Sequence, residues 1–466
     1  MTNSIVHEDT ICAVSTAPGV GGVALIRVSG SDAIALCDTI FQSKKKEKSL
    51  TTQESYTLNY GTIIRNNDKI DDVLVAVFRN PHSFTGEDTV EITCHGSAYI
   101  QQQILQLLIE KGCRTAMPGE FTQRAFLNGK MDLSQAEAVA DLIASTSAAT
   151  HRLAINQMRG GFSKELNKLR GQLLDFVSLV ELELDFSEEV VEFADRLKLK
   201  NLADEIAEII QKLASSFSVG NVIKNGVPVA IIGETNAGKS TLLNLLLQEE
   251  KAIVSDIHGT TRDVIEDVIN MEGINFRFID TAGIRDTTDV IESLGIERTF
   301  KKIEQAEIVI WMIDACSSKD SITAMAERIR PATELKQLII VFNKADLIRP
   351  KERTSLISFF PTLNPIFISA KKEENTNALY KRLIEAAHLP EVSQNDVIVT
   401  NIRHYEALVK ALAAIRRTQD GLLSGISGDF VSQDIRECMY YLGEITGQIS
   451  TDDILGSIFM RFCIGK

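Results

Sequence analysis

The stretch that decides the fold is GETNAGKS, residues 233–240, which matches the phosphate-binding pattern G-x-x-x-x-G-K-[ST]. It follows the apolar run 229–232 and precedes the leucine-rich segment 242–247, whose spacing is helical. In a strand–loop–helix unit of this kind, glycines let backbone N–H groups turn toward phosphates at a helix N-terminus. We expect Lys239 to reach the β- and γ-phosphates and the Ser240 hydroxyl to bind Mg²⁺. The P-loop residues assigned to the nucleotide are Asn236, Ala237, Gly238, Lys239, Ser240 and Thr241.

Two further signals concern the metal and the γ-phosphate. The string GTTRD at 259–263 supplies a threonine, Thr261, that can complete the Mg²⁺ shell. The string DTAG at 280–283 follows an alternating strand; its Asp280 can hold the metal through water, and the Gly283 amide can sense the γ-phosphate. The residues assigned to the nucleotide in this region are Ser255, Asp256, Ile257, His258, Gly259, Thr260, Thr261, Asp280, Thr281, Ala282 and Gly283.

The last two signals indicate guanine. NKAD at 343–346 ends a strand, and Asp346 can accept from guanine N1–H and from the 2-amino group. Adenine offers a lone pair at that position, and an unpaired polar group against the wrong base gives strong discrimination. SAK at 369–371 adds a backbone amide for guanine O6. The base-binding residues are therefore Asn343, Lys344, Ala345, Asp346, Ser369, Ala370 and Lys371, and five ordered signals at strand ends predict a Ras-like α/β GTPase.

One position departs from the usual GTPase pattern. Many GTPases place a glutamine directly after the D-x-x-G glycine to orient the attacking water, whereas this chain has Ile284. Another group must orient the water, and the positive charge of an arginine finger must also come from elsewhere. The nearby polar candidates, each of which also fits a solvated loop charge, are Arg262, Arg285, Asp286, Asp289 and Glu292.

Length and composition limit the class of protein. The 466 residues suggest about three domains, and the net charge of −14 argues against a surface that grips nucleic acid everywhere, while permitting a local basic patch. The cysteines are scattered without any C-x-x-C pair, which excludes the common zinc patterns and indicates a reducing compartment. The first ten residues lack the features of a leader, and no apolar run approaches the length of a membrane span. We expect a cytoplasmic protein.

Changes in periodicity predict a multidomain chain. Residues 1–130 alternate between apolar and polar positions and are expected to form an α+β domain, whereas 131–220 have helical spacing. The α/β P-loop GTPase domain is assigned to 221–389, and 390–466 is helical again. We expect the two helical blocks to pack together as one discontinuous domain with the GTPase domain inserted, because neither block alone buries much surface.

The first helical block carries charge runs of opposite sign. From Asp175 to Asp195 there are eight acidic residues and no basic one. A contact with phosphate and a solvated helix face both remain open for the basic stretch upstream, which comprises Arg152, Arg159, Lys164, Lys168 and Arg170.

The flanks of the GTPase domain narrow the choice of family. The motifs are FCIGK at 462–466, PGEF at 118–121, RAFLN at 124–128 and GED at 86–88. With them, the whole chain resembles the MnmE (TrmE) family of tRNA-modification GTPases. The GTPase signals alone would fit many translation-factor-like GTPases.

This resemblance implies a set of ligands and partners. The N-terminal domain would bind 5-formyl-tetrahydrofolate or a related folate and form a homodimer. The chain would work in a heterotetramer with the FAD-dependent partner MnmG, and tRNA would be bound through that complex. The reaction would install an aminomethyl or carboxymethylaminomethyl group at carbon 5 of the wobble uridine of certain tRNAs. Hydrolysis of GTP to GDP would depend on K⁺ and on contact between two GTPase domains.

The resemblance also implies roles for single residues. Glu292 would position the catalytic water, beside Lys239 as the second catalytic residue. The K⁺ ligands would be Asn236, Ser255, Ile257 and Thr260, so that K⁺ supplies the charge of the missing finger. The folate contacts would be Arg27, Glu91, Lys130 and Lys466. Without the resemblance, a cross-strand ion pair is the favoured explanation of Arg27 and Glu91, which lie on alternating strands.

A second function remains open at this point. A GTP-dependent binding switch in ribosome assembly would share the GTPase signals, with hydrolysis timing release. Such proteins usually carry a basic RNA-binding appendage, which this acidic chain does not show. Folate binding would separate the two functions.

Overall fold

The computed structural model describes residues 9–45, 48–185, 196–251, 267–279, 300–360, 363–387, 397–424, 426–449, 452–460, 462 and 464–465. The chain forms two compact units. The first comprises Met1–Ala144, Ala154–Glu208 and Ala407–Lys466, and the second comprises Ser145–Leu153 and Ile209–Glu406. The chain therefore leaves the first unit and later returns to it, as an inserted domain requires.

A seven-stranded sheet forms the base of the first unit. Its strands lie in the order β3-β4-β5-β6-β2-β1-β7, and all neighbours are antiparallel except β1 and β7. The strands are β1 (Ile11–Val14), β2 (Val23–Ser29), β3 (Phe41–Ser43), β4 (Thr57–Arg65), β5 (Asp68–Phe78), β6 (Thr89–His95) and β7 (Arg114–Thr115).

Alternation along β2 assigns its side chains to two faces of this sheet. Ala24, Ile26 and Val28 are buried in a core shared with α1 (Ala33–Ile40) and α2 (Ala98–Glu110). Successive strand residues point to opposite faces, so Arg27 lies on the other side. There it is in register with Glu91 of β6, and we call this side the Arg27 face.

Helices dominate the chain after the sheet. The helical spacing predicted for residues 131–220 includes a row of apolar residues from Leu166 to Leu184. Its members Leu166, Leu169, Leu173, Phe176 and Val180 are buried, and the side chain of Leu184 lies outside those that the structure describes. The next helices are α3 (Glu120–Leu127), α4 (Leu133–Ile143), α5 (Ala148–Met158), α6 (Gly161–Asp185) and α7 (Arg196–Asn225).

The second unit contains a six-stranded sheet of the GTPase type. Its order is β13-β12-β11-β8-β10-β9, with only β9 antiparallel to its neighbour. Parallel strands bring their carboxyl ends to one edge, where α/β sheets bind ligands. The elements are β8 (Val227–Ile232), α8 (Lys239–Lys251), β9 (Asp267–Met271), β10 (Ile274–Phe278), β11 (Ile308–Asp314), α9 (Lys319–Ala332), β12 (Gln337–Asn343), α10 (Pro350–Ile357), β13 (Ile366–Phe367) and α11 (Thr376–Ala386).

The C-terminal helices are α12 (Ile402–Ser424), α13 (Gly428–Thr446) and α14 (Asp452–Phe459). Within the first unit, Gln448 donates to Asn167 at 3.0 Å, and the Ser432 hydroxyl donates to Glu181 at 3.0 Å. These contacts join α6 to α13 and the residues after it. The two helical blocks thus pack together, as their sequence predicted.

The predicted fold class is confirmed: an α+β N-terminal part, a discontinuous helical part and an inserted Ras-like GTPase fold. The boundaries 1–130, 131–220, 221–389 and 390–466 stay predictions. Among the described residues, no helix is long and apolar enough to cross a bilayer.

A buried ionic network holds the N-terminal part together. Arg124 is 2% exposed and donates to Asp9 at 2.9 Å, to Glu120 at 3.0 Å and to Glu87 at 3.2 Å. Arg114 also donates to Glu120 at 2.6 Å and to Asp9 at 2.7 Å. These bonds, with that from Arg114 the strongest, lower the pKa of Asp9 to about 2. The guanidinium of Arg124 is thus a buried charge with several acidic partners.

We expect Arg124→Ala to destabilise the first unit by about 3 kcal/mol, because it leaves the buried Glu120 carboxylate short of a partner. Scanning calorimetry of the full chain measures the effect. Arg417→Ala is the matched control, since that arginine also contacts two carboxylates, Asp434 and Glu437, but is exposed. Its loss should cost about 0–1 kcal/mol.

The depressed pKa of Asp9 determines how the stability of the first unit changes with pH. Because the folded pKa of Asp9 is depressed, its ion pairs stabilise the fold above the unfolded value of about 4 and are lost as pH falls toward about 2. The difference between wild type and Arg124→Ala should therefore shrink over that window. Equal losses for the Arg124 and Arg417 variants would contradict a structural role for the network.

Candidate functional site

The P-loop connects β8 to α8 at the carboxyl edge of the second sheet. Asn236 has a left-handed backbone with φ of 65°, and Gly238 has φ of 100°. A Cβ on Gly238 would lie 2.1 Å from Nδ2 of Asn343. Only glycine fits between the loop and that amide. Helix α8 then begins at Lys239, with its first N–H groups at the loop.

The side chain of Asn343 joins two of the nucleotide-binding loops. Its Nδ2 donates to the Ala237 carbonyl at 2.8 Å, and its Oδ1 accepts from the Ala370 amide at 2.9 Å. Asn343 is 4% exposed, so water does not compete for these bonds. The P-loop and the 369–371 loop are therefore fixed relative to each other by one amide.

The base-binding end centres on Asp346. A hydrogen bond from Ser369 and a contact with the Lys372 ammonium at 3.1 Å lower the pKa of Asp346. The carboxylate is thus ionised at neutral pH and presents two acceptors, the pair that guanine N1–H and its 2-amino group require. Ser369 is 1% exposed, which keeps its hydroxyl in place.

Lys344 lies two residues before Asp346, but its side chain contacts a different strand. Its backbone is left-handed, with φ of 61°, and its ammonium donates to Asp314 at 2.6 Å. Asp314 ends β11, so the contact ties the NKAD loop to a third strand.

Lys239 has acceptors on the P-loop itself. Its ammonium donates to the carbonyls of Gly233 at 2.8 Å and Glu234 at 2.7 Å. Burial lowers the pKa of Lys239, because the charged form is partly removed from water. Neutral carbonyls hold the ammonium less strongly than phosphate oxygens would, so phosphate can take it over.

Ser240 and Thr241 occupy the first turn of α8. The Ser240 hydroxyl is half-buried at that turn, which suits the single hydroxyl ligand a P-loop gives to Mg²⁺. Among the described residues, no cluster of three or more His, Cys, Asp or Glu side chains could hold a metal by itself.

The structure brings together three of the five predicted signals: residues 236–241, 343–346 and 369–371. The other assigned positions lie outside the described residues; they are Ser255, Asp256, Ile257, His258, Gly259, Thr260, Thr261, Asp280, Thr281, Ala282, Gly283 and Glu292. The sequence did not point to Lys372 or Asp314, which hold Asp346 and Lys344.

A second set of assigned residues lies on the Arg27 face of the first unit. Arg27 donates to Glu91 at 2.9 Å through Nε, and their side chains are 17% and 23% exposed. The cross-strand ion pair foreseen as an alternative is present. Two rings flank this guanidinium: its Cζ is 5.3 Å from the centroid of Phe84 and 5.6 Å from that of Phe121. Neither ring was predicted from the sequence.

The other two residues assigned to folate differ in position. Lys130 is exposed and donates to the Pro81 carbonyl at 2.8 Å, in the loop that carries Phe84. Lys466 lies outside the described residues, but the neighbouring Gly465 carbonyl accepts from the Ser15 hydroxyl at 2.9 Å. The C-terminal tail therefore reaches the strand β1 that pairs with Arg27.

Two family models match this chain along most of its length. A model described as MnmE helical domain matches residues 133–463, and one described as GTP-binding protein TrmE N-terminus matches residues 10–130. A crystal structure of Aquifex aeolicus Era bound to GDP and aluminium fluoride is 29% identical, covers 40% of this chain and 66% of that one, and has a TM-score of 0.27.

Curated relatives match over the full length. The tRNA modification GTPase MnmE of Bacteroides thetaiotaomicron is 65% identical, covering 99% of this chain and 100% of that protein. The protein of the same name from Flavobacterium johnsoniae is 52% identical with the same coverage. Because both family models match and these relatives align from end to end, the chain belongs to the MnmE (TrmE) family of GTPases.

Proposed function

We propose that this chain is a K⁺-dependent GTPase that modifies carbon 5 of the wobble uridine of certain tRNAs, together with the FAD-dependent partner MnmG. The added group is aminomethyl or carboxymethylaminomethyl, and a folate supplies the one-carbon unit. GTP hydrolysis drives rearrangement of the complex. The observation that carries the nucleotide part is the ionised Asp346 beside two loops that Asn343 fixes.

The relatives support the tRNA part. Those aligned end to end with this chain are described as tRNA modification GTPases. On these descriptions we prefer the tRNA-modification enzyme to the alternative function, a GTP-dependent switch in ribosome assembly.

The described residues have separate tasks in the hydrolytic step. Amides at the start of α8 and the Lys239 ammonium bind the phosphates, and Asp346 selects the base. Bound Mg²⁺, held at Ser240, would neutralise charge on the β- and γ-phosphates. Glu292, outside the described residues, stays our proposal for the group that orients the water.

We expect Asp346→Asn to weaken GTP binding roughly a hundredfold, or about 3 kcal/mol, because one carboxylate oxygen facing a guanine donor becomes an N–H₂ group. Xanthosine triphosphate, which has a carbonyl in place of the 2-amino group, should bind the variant better than GTP does. Titration calorimetry with both nucleotides measures this reversal.

Asp320→Asn is the matched control, since Asp320 is an exposed carboxylate of the same unit. It should bind GTP normally. In cells lacking the gene, the control should restore wobble-uridine modification and Asp346→Asn should not. Normal modification by cells without any copy of the gene would overturn the proposed function.

Asn236 fits a K⁺ ligand by its exposure. The side chain is exposed and, among the described residues, makes no hydrogen bond, so its amide oxygen is available to a cation. Oxygen ligands suit hard cations. A bound K⁺ would supply positive charge near the phosphates, in the role of an arginine finger.

We expect Asn236→Gly to reduce GTP turnover in KCl at least about tenfold while leaving GTP affinity nearly unchanged. Glycine is the proper replacement because it tolerates the left-handed backbone and removes only the ligand. Asn236→Asp keeps an oxygen and should retain the K⁺ response. Turnover by the wild type that is equal in NaCl and KCl would contradict the proposal.

The Arg27 face fits a folate by its chemistry. A flat pterin can stack on the ring of Phe84, which is 36% exposed and lies 5.3 Å from the Arg27 guanidinium. The Glu91 carboxylate can accept from the pterin's amide and amino donors. Arg27 and Lys130 can donate to the ligand's carboxylates, and Lys466, outside the described residues, stays our proposal for a third donor.

We expect Glu91→Gln to weaken binding of 5-formyl-tetrahydrofolate at least about tenfold, because a charge-assisted acceptor becomes a neutral one. Equilibrium dialysis with the full chain measures it. Glu110→Gln is the control, since Glu110 pairs with Arg65 in an exposed ion pair of the same unit. If both variants bind the folate like the wild type, Arg27 and Glu91 form only an ion pair.

The Arg27 face also supports the proposed homodimer. Tyr60 and Leu74 are in register on β4 and β5, and Leu58 lies beside them. These three are 53%, 40% and 64% exposed, so they form an apolar patch open to a second copy.

A cytoplasmic location, and access to tRNA through the complex with MnmG, complete the proposal.

A further inference from the structure

A group of cations near the start of α6 has no acidic partner. It comprises Arg159, Lys164, Lys168 and Arg170, which we call the α6 cations. None of their side chains forms an ion pair or hydrogen bond with any residue, as far as the described part of the chain extends. Glu165 is the single acidic residue from 159 to 174. In a chain of net charge −14, this is a local positive surface.

Arg170 is the most unusual member. It is half-buried against α13, where a Cβ on Gly443 would lie 3.4 Å from its Cζ. Its Nε is buried without a hydrogen-bond partner, and burial lowers the pKa of the guanidinium. Burying a charge without a partner is costly, which points to a ligand of opposite charge.

The spacing of these residues suits a chain of phosphates. Lys164, Asn167 and Arg170 follow one another at intervals of three along the helix, and Lys168 lies one turn after Lys164. Residues three and four apart are neighbours on a helix surface. Ammonium and guanidinium groups in such a row can contact successive phosphates of one strand.

Direct contacts lead from this surface to the Arg27 face. Ser163, next to Lys164, lies 2.9 Å from Ser134 of α4 through their hydroxyls. Leu133, adjacent to Ser134, packs with Phe459 and Phe462 of the C-terminal tail. That tail reaches β1 through the bond between Gly465 and Ser15. A polyanion on α6 would thus lie on the same unit as the proposed folate site.

We propose that the α6 cations are a docking surface for the phosphate backbone of an RNA strand. This rests on the proposed function, in which tRNA is the substrate, and identifies the face of the chain that receives it. Arg170 binds phosphate through its terminal Nη1 and Nη2 groups, while the lysines add charge without reading sequence.

The test compares two triple variants of the full chain with the same change in charge. One is Lys164→Gln/Lys168→Gln/Arg170→Gln. The matched control is Lys212→Gln/Arg328→Gln/Lys381→Gln, at exposed helical positions of the other unit. Fluorescence anisotropy with a labelled tRNA transcript, repeated from low to moderate salt, gives the affinity and its salt dependence. GTP turnover and far-UV circular dichroism check that each variant is folded.

We expect the α6 variant to bind tRNA at least about tenfold more weakly and to lose about 2 from the slope of log affinity against log salt, or roughly 0.7 for each phosphate contact removed. The control should stay within about twofold of wild type. GTP turnover without tRNA should not change in either variant.

Three results would overturn the inference. If wild type binds tRNA and the α6 variant binds it with the same affinity and slope, the surface is wrong and the proposed function stands. If wild type does not bind tRNA, the surface is wrong, whereas the proposed function, in which tRNA is reached through the complex with MnmG, is decided by the wobble-uridine assay in cells lacking the gene. If the α6 variant keeps tRNA binding but loses self-association in sedimentation, the surface receives an acidic face of a second copy.

Discussion

The amide of Asn343 is the constraint on which the nucleotide site depends. Its donor and acceptor are both used inside the protein, toward Ala237 and Ala370. A buried amide with both groups satisfied holds the two loops at a set distance. Gly238 follows from the same constraint, because any side chain there would collide with the amide. Phosphate and base are therefore bound by loops that are already in place.

A comparable close approach occurs in the first unit, where the residue before α3 contacts the end of α14. Gly119 precedes α3, and a Cβ there would lie 2.6 Å from the Phe459 carbonyl. The close approach lets the aromatic residues of the tail pack on α4, and Gly465 then contacts Ser15. This joins the PGEF motif and the C-terminal motif, both of which first indicated the family. Their distance in sequence hides a direct contact in the fold.

What the sequence could predict follows from the range of the interactions. The P-loop, NKAD and SAK strings are local, and each needs only the strand before it, so their place at the sheet edge was predictable. The row of buried leucines on α6 was equally local. The partners of Asp346 and Lys344 were not, because Lys372 and Asp314 reach them from other loops. Phe84 and Phe121 flank Arg27 only because three separate segments converge, and no periodicity encodes that.

Two arginines of the first unit differ in whether the fold supplies a carboxylate to pair with their charge. Arg124 is buried and contacts carboxylates on three sides, so its charge is neutralised within the fold. Arg170 is half-buried and contacts no carboxylate in the part of the chain that the structure describes, and its Nε has no hydrogen-bond partner. Removing a charge from water without pairing it lowers the free energy of unfolding, so it does not stabilise the fold. The difference between these two environments, rather than the count of basic residues, is what makes α6 a surface for an anion.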